Sequence, residues 1–284
     1  MSRFEATVAI DWSGAKGHKH KGIAIAEARG EDPPRLVRPG HVWSRCEVKD
    51  WLVERAAKEA TLFGFDFSFA PPFAERGAYL PVETNVPESA RGFWAYVDDR
   101  SRDEDLGAAS FLEEVHRRHF YFGIADGVKA DFVRFRVCEA HLNAQGGRKT
   151  ASAYDAIGAA QVAKASFSGM RLLHWLEGHD HIAIWPMDPL PRQGSAIVEI
   201  YTRIYLRNAG MSGKKLRTRV DLNRALAGLG SKPVRLRFEP NDHQTDALVT
   251  AAGMRAHLKH PLAFSPPGLT PELARSEGWT FGIV

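Results

Sequence analysis

ATVAIDWSGAKG, residues 6–17, is the stretch on which the reading of this chain turns. Ala6 to Asp11 is an apolar run with β-branched members, the composition of a buried strand, and it ends on a carboxylate. Ser13, Gly14 and Gly17 then supply turn formers, and GIAIAE (22–27) alternates as a hairpin partner would. Pro33, Pro34, Pro39 and Gly40 punctuate a poorer third strand region between Arg35 and Ser44. Val48, Trp51, Leu52 and Ala56 fall at helical spacing and predict a helix over 48–60. LFGFDFSF (62–69) reads as a short buried strand halted by Pro71 and Pro72. The first third is therefore β-β-β-α-β.

The pattern weakens between 70 and about 195. Turns rich in Pro and Gly reach to Pro87, an acidic polar patch covers Asp98–Asp105, and a helix is expected near Ser110–His119. Val162, Ala165, Gly169, Leu172, Leu173 and Leu176 share one helical face, and HIAIWP (181–186) reads as a strand. AIVEIY (196–201) is a strand, a basic helix is expected around Lys214–Leu229, and Pro240-Asn241-Asp242 opens a helix to about Lys259 with Asn241 or Asp242 as its cap. We read 1–284 as a single α/β domain with an insertion or lid at about 72–155.

Apolar residues at 44% and charged residues at 25% exclude wholesale disorder and fibrous repeats. No apolar run is long enough to span a bilayer, and the start, MSRFEATVAIDWSG, lacks the plan of a secretory signal. Two cysteines, Cys46 and Cys138, make neither a disulfide framework nor a Cys-rich zinc site, so the expected setting is a reducing cytoplasm away from membranes, with both thiols inert. Between Arg203 and Arg237 lie ten basic residues and one acid, a net +9 that leaves −5 on the rest of a chain whose total is +4. Such a segment points to an anionic partner, nucleic acid first, or else to a solvated basic helix face.

Four acids stand in costly surroundings: Asp11 at the end of its strand, Asp66 inside LFGFDFSF, Glu199 inside AIVEIY, and Asp246 a full turn inside the last long helix. A carboxylate in an apolar strand needs a partner, a hydrogen bond or a cation. Singly, turn-forming explains Asp11 and capping explains Asp242. Together they resemble a set of hard oxygen ligands for Mg2+ or Mn2+. His243, Asp242 and Asp246 share one helix face and add to the set. Trp12, Phe67 and Phe69 flank the acids as core residues, and the pairs His18/His20 and His179/His181 read as solvated loops.

The order of these features resembles the RNase H-like superfamily, in particular its Holliday-junction resolvase branch, and within it the domain-of-unknown-function 429 family of predicted RNase H-like nucleases. The matching segments are IDWSGA (10–15), GFDFSFAPP (64–72), GAAQVAKASFSGMRLLHWL (158–176), IWP (184–186), VEIYTRIY (198–205), DHQTDALVTAAG (242–253) and EGWTFGI (277–283). The resemblance implies a mixed five-stranded sheet of order 3-2-1-4-5 flanked by helices. It implies Asp11, Asp66 and Asp246 as metal ligands, assisted by His243 or Asp242, with Glu199 on a motif of this family. It also implies hydrolysis of nucleic-acid phosphodiesters around two divalent ions about 3.5–4 Å apart. The resolvase branch usually has Glu where this chain has Asp66, and no acid on the first helix has a convincing counterpart. Lys16, Arg203, Lys214, Lys215, Arg217 and Arg219 are then the candidate phosphate contacts. DNA or RNA as substrate, and homodimerisation, stay open.

Two other classes fit the same residues. An actin-like phosphotransferase or ATPase shares this core, and the loop WSGAKGHKHK (12–21) is glycine-containing and basic. A non-catalytic nucleic-acid-binding module with a vestigial site is the other. GxxxxGK[ST], GxGxxG and GxSxG are absent from the sequence, so P-loop, dinucleotide-binding and serine-hydrolase readings have no support.

Overall fold

A computed structural model describes residues 3–146, 150–157, 162–211 and 215–284. Its elements run β1 (Ala6–Asp11), β2 (Ala24–Arg29), β3 (Arg35–Leu36), α1 (Arg45–Ala56), β4 (Thr61–Phe65), α2 (Ala90–Arg100), α3 (Lys129–Phe132), α4 (Val137–Ala144), α5 (Val162–Leu176), β5 (Ile182–Ile184), β6 (Ser195–Glu199), α6 (Thr202–Asn208), α7 (Arg219–Gly228), α8 (Asp242–His257) and α9 (Pro271–Ser276). The first three strands form an antiparallel meander, and β4, β6 and β5 extend it in parallel with β1, giving the mixed order β3-β2-β1-β4-β6-β5.

The sheet has six strands rather than the five expected, and the order differs at one edge. AIVE, buried at every position, lies between β4 and β5, whereas the three-residue IAI forms the rim. Length and burial explain the exchange: a fully apolar strand gains from cover and pairing on both sides, and a short one suits an edge. β4 stops at Phe65, so Asp66 is the first residue beyond the strand. The helix expected over 48–60 begins earlier, at Arg45, because Ser44 caps it through the Glu47 amide in a reciprocal capping box.

Alternation along the strands divides the core. Val8, Ile10, Phe63 and Phe65 face α1, α2 and α5, together with Tyr79, Phe93, Trp94, Phe111 and Phe120 from the segment 72–155. That segment is part of the core: Trp94 donates to the Phe69 carbonyl at 2.6 Å, and α2 fills space with Phe93, Trp94, Tyr96 and Val97. The helix expected near 110–119 is instead one π turn, Phe111–Val115, followed by a 3₁₀ turn, Arg117–His119.

The other face is lined with small residues, Ala9, Ala24, Ala26 and Ala28, against α6, α7, α8 and the segment 279–283. Small side chains let α8 lie close to β1 and β2, and Thr7 Oγ1 donates to the Ala251 carbonyl at 2.8 Å. Gly64 is a close approach of strand to helix: a Cβ there would meet Ile200 Cγ2 and Met254 Sδ at 2.7 Å. Gly64→Ala is expected to destabilise the protein by about 1–3 kcal/mol, measured by urea unfolding, although alanine suits a strand better than glycine. An unchanged midpoint would show that α8 yields freely. No helix among the described residues is long and apolar enough to cross a membrane.

Candidate functional site

Parallel pairing brings Ile10 opposite Phe65, so the next residues, Asp11 and Asp66, emerge side by side at the carboxyl ends of β1 and β4. The Asp66 amide donates to the Ile10 carbonyl at 3.1 Å, which fixes the turn. Crevices at the carboxyl ends of parallel strands are where α/β sheets present ligand-binding groups. α8 crosses the same end. Its cap is Asn241, whose side chain accepts from the Gln244 amide at 2.9 Å while Gln244 returns the bond, so neither Asp242 nor Asp246 is needed for capping. His243, on the first turn, shares a hydrogen bond of 3.1 Å between Nδ1 and Asp11 Oδ2.

The electrostatics of the cluster are those of crowded acids. Burial pushes the Asp11 carboxyl up, against the pull of His243. Asp66 is raised well above the ordinary carboxylate range, first by burial and then by Asp11, Asp246 and Glu199. Asp246 is pushed up to about 7, by burial and then by Asp11 and Asp242. The hydrogen bond to Asp11 raises His243 in turn. Among the described residues neither Asp66 nor Asp246 accepts a side-chain hydrogen bond or forms an ion pair; Arg203, half-buried on α6, is the cation whose field reaches both. Asp66 and Asp246 are thus hard oxygen donors, raised by burial first and by neighbouring carboxylates second, with no ion pair of their own among the described residues.

Glu199 takes a different role from the expected ligand. It is 3% exposed and wholly engaged. Arg136, at the start of α4, forks across both its oxygens, with Nη1 2.6 Å from Oε2. The Phe69 amide donates to Oε2 at 2.8 Å, and Thr280 Oγ1 to Oε1 at 2.6 Å. Arg136 also binds Glu139, and the pair of carboxylates raises its guanidinium well above its ordinary value. Glu199 thus satisfies a buried guanidinium; it is held behind the acids and is not available to a cation.

Asp242 is paired at the surface: Lys215 Nζ sits 2.9 Å from its Oδ2 and lowers its carboxyl. The basic candidates divide similarly. Lys16 pairs with Glu113 at 2.7 Å, Arg219 with Glu239 at 2.7 Å, and Arg217 is exposed. Lys214 lies outside the described residues, as do 158–161 at the start of the motif 158–176.

The loop after β1 is rigidly placed. Arg45, fully buried, donates to the carbonyls of Ser13 and Asp105 at 2.8 and 2.9 Å and to that of Ala15. A Cβ on Gly14 would lie 2.2 Å from backbone atoms of Lys164 and Ala165, so only glycine lets the loop approach α5. His20, expected in solvent, is buried against Asp105 at 2.9 Å, because the same anchoring draws the loop inward; His18 does stay exposed, bonded to Glu104. His179 and His181 are exposed as expected. Trp12, Phe67 and Phe69 are core residues, with Trp12 Nε1 donating to Ser168 Oγ at 2.9 Å. Cys138 is buried, its thiol pushed up to about 12, in keeping with an inert role.

A second group went unread in the sequence. Glu83, His116 and His119 bring one ligand atom each within 4.8 Å of one another, a convergence that the three aspartates, more openly spaced, do not reach. The signal was HRRH at 116–119, two histidines three apart. Comparison with models of known families, with curated proteins and with solved structures finds no match for this chain.

Proposed function

We propose that this chain is an RNase H-like, Mg2+- or Mn2+-dependent nuclease that hydrolyses phosphodiesters of nucleic acid, with Asp11, Asp66 and Asp246 as the cation ligands. The observation that carries the reading is the mutual electrostatic reach of these three carboxylates, from β1, the end of β4 and α8, with no ion pair to Asp66 or Asp246 among the described residues. The antiparallel meander continued by a parallel β4, with α8 laid across β1 and β2, supports the RNase H-like assignment. A divalent ion held there supplies charge stabilisation and activation of the attacking water.

The chain's own residues do the rest. Arg203 offers positive charge to Asp66 and Asp246, and exposed Arg217, with Lys215 and Arg219 once released from their surface acids, offers it to the phosphate backbone. Exposed pairs of this kind are weak and exchange readily for phosphate. His243, raised by its hydrogen bond to Asp11, is the side chain placed to pass a proton to the departing oxygen.

The test is to incubate the full chain with end-labelled single- and double-stranded DNA, RNA, RNA–DNA hybrid and a four-way junction, with Mg2+, Mn2+ or EDTA. Cation-dependent cleavage of one or more, lost in Asp11→Ala, is the expected result. Cation-independent binding that survives Asp11→Ala, without cleavage, would replace this reading with a non-catalytic module. Saturable ATP hydrolysis with every polymer intact would replace it with the actin-like alternative.

A further inference from the structure

We propose that Glu83, His116 and His119 form a binding site for a zinc-class divalent ion, separate from the acidic crevice, that clips the loop around Glu83 to the turn carrying both histidines. His116 is 4% exposed, yet its Nδ1 has no hydrogen-bond partner among the described residues. That nitrogen faces Glu83 Oε1 at 3.5 Å, too far for a good hydrogen bond and close enough for two ligands of one ion. Nε2, on the other side of the ring, meets the Tyr96 hydroxyl at 3.1 Å. A metal-bound imidazole is commonly held in this way through its second nitrogen. With Nε2–H donated to Tyr96, Nδ1 presents a bare lone pair to a carboxylate, an arrangement that asks for a cation between them. Burial lowers the basicity of His116, which disfavours a proton in that place.

His119 Nε2 completes the set, 2.8 Å from the same Glu83 oxygen. Two imidazoles and one carboxylate suit zinc and its neighbours, not Mg2+, and leave a position for water. The loop has a matching shape, since Val82 and Asn85, on either side of Glu83, have φ of 68° and 60°, and Val82 is 84% exposed. A β-branched residue in the left-handed region stores strain, and with its side chain in water nothing in its own packing offsets it. What the strain secures is the direction of Glu83. Arg118 also binds Glu83 Oε1, at 2.7 Å, but is 61% exposed and leaves for solvent at little cost. It is therefore a competitor of the ion.

The test is titration of the EDTA-treated full chain with Co2+, followed by its visible absorption and by displacement with Zn2+. Uptake of one Co2+ with the intense bands of a four-coordinate site is expected, apart from any Co2+ that the aspartates hold without such bands. Glu83→Gln, a partly exposed position that leaves the fold intact, and His119→Ala both abolish it. Tyr96→Phe weakens it about 10- to 100-fold, and Arg118→Ala tightens it. Asp66→Asn leaves it unchanged, which separates this site from the crevice. Absence of Co2+ uptake, or uptake equal in Glu83→Gln and the unaltered chain, overturns the proposal.

Discussion

Under the proposed hydrolysis, Asp66→Asn is expected to lower cation-dependent cleavage by about 1,000-fold or more while raising the thermal midpoint of the metal-free protein. The first effect follows from losing a proposed ligand that Glu199, committed to Arg136 in a buried pair, cannot replace. A loss of about 4 kcal/mol in transition-state stabilisation corresponds to that factor. The second follows from the burial of the acids and, after it, from their crowding. Asp66 is held far above its unfolded value and Asp246 near 7, so charging them opposes folding. Their contribution to stability is complete below about pH 4 and is lost as pH rises through the folded-state values. At pH 8 the metal-free protein bears more of this penalty than at pH 4, and the neutral amide relieves part of it. A gain of about 2–4 °C is expected by differential scanning fluorimetry at pH 8, shrinking toward pH 4. Unchanged cleavage would remove Asp66 from the site, and a lower midpoint at pH 8 would refute the account of repulsion.

Arg136→Met carries the largest expected cost in stability. It removes the one guanidinium between Glu199 and Glu139, both at most 4% exposed, and leaves two carboxylates without their cation. Breaking a buried pair from one side costs about 3–5 kcal/mol, because the remaining charge keeps its desolvation penalty. Urea unfolding should show a loss in that range or failure to accumulate as folded protein. Adding Glu199→Gln and Glu139→Gln to Arg136→Met should recover part of it, since amides are cheaper to bury than unpaired charges. A single variant as stable as the original chain would mean that water reaches the network.

The same network shows where sequence reasoning reaches its limit. An acid in AIVEIY needs a partner, a hydrogen bond or a cation; the strand cannot say which, and Arg136, which supplies it, lies 63 residues away in a stretch without strong periodicity. Asp11, Asp66 and the helix bearing Asp246 were legible because each sits where a strand end or a helix face is forced by its neighbours. α2 was not: Asp98 and Asp99 drew attention to polarity, although Phe93, Trp94 and Val97 already had the spacing of a buried helical face. The exchange of β5 and β6 was hidden because strand order depends on competition for cover, which local patterning does not express. His20 was hidden because Asp105, its partner, is 85 residues away.

Residues 279–283 finish the sheet from far along the sequence. Phe281 donates its amide to the Glu199 carbonyl at 2.8 Å, its own carbonyl receives the Tyr205 hydroxyl at 2.8 Å, and Thr280 reaches Glu199 itself. During synthesis, then, the floor beneath the crevice stays open until this stretch has cleared the ribosome exit tunnel. Nascent chains that pause earlier would expose Glu199 and its neighbours to water and to chaperones, so native assembly around Glu199 should trail its emergence from the tunnel by the 81 residues that separate it from Thr280.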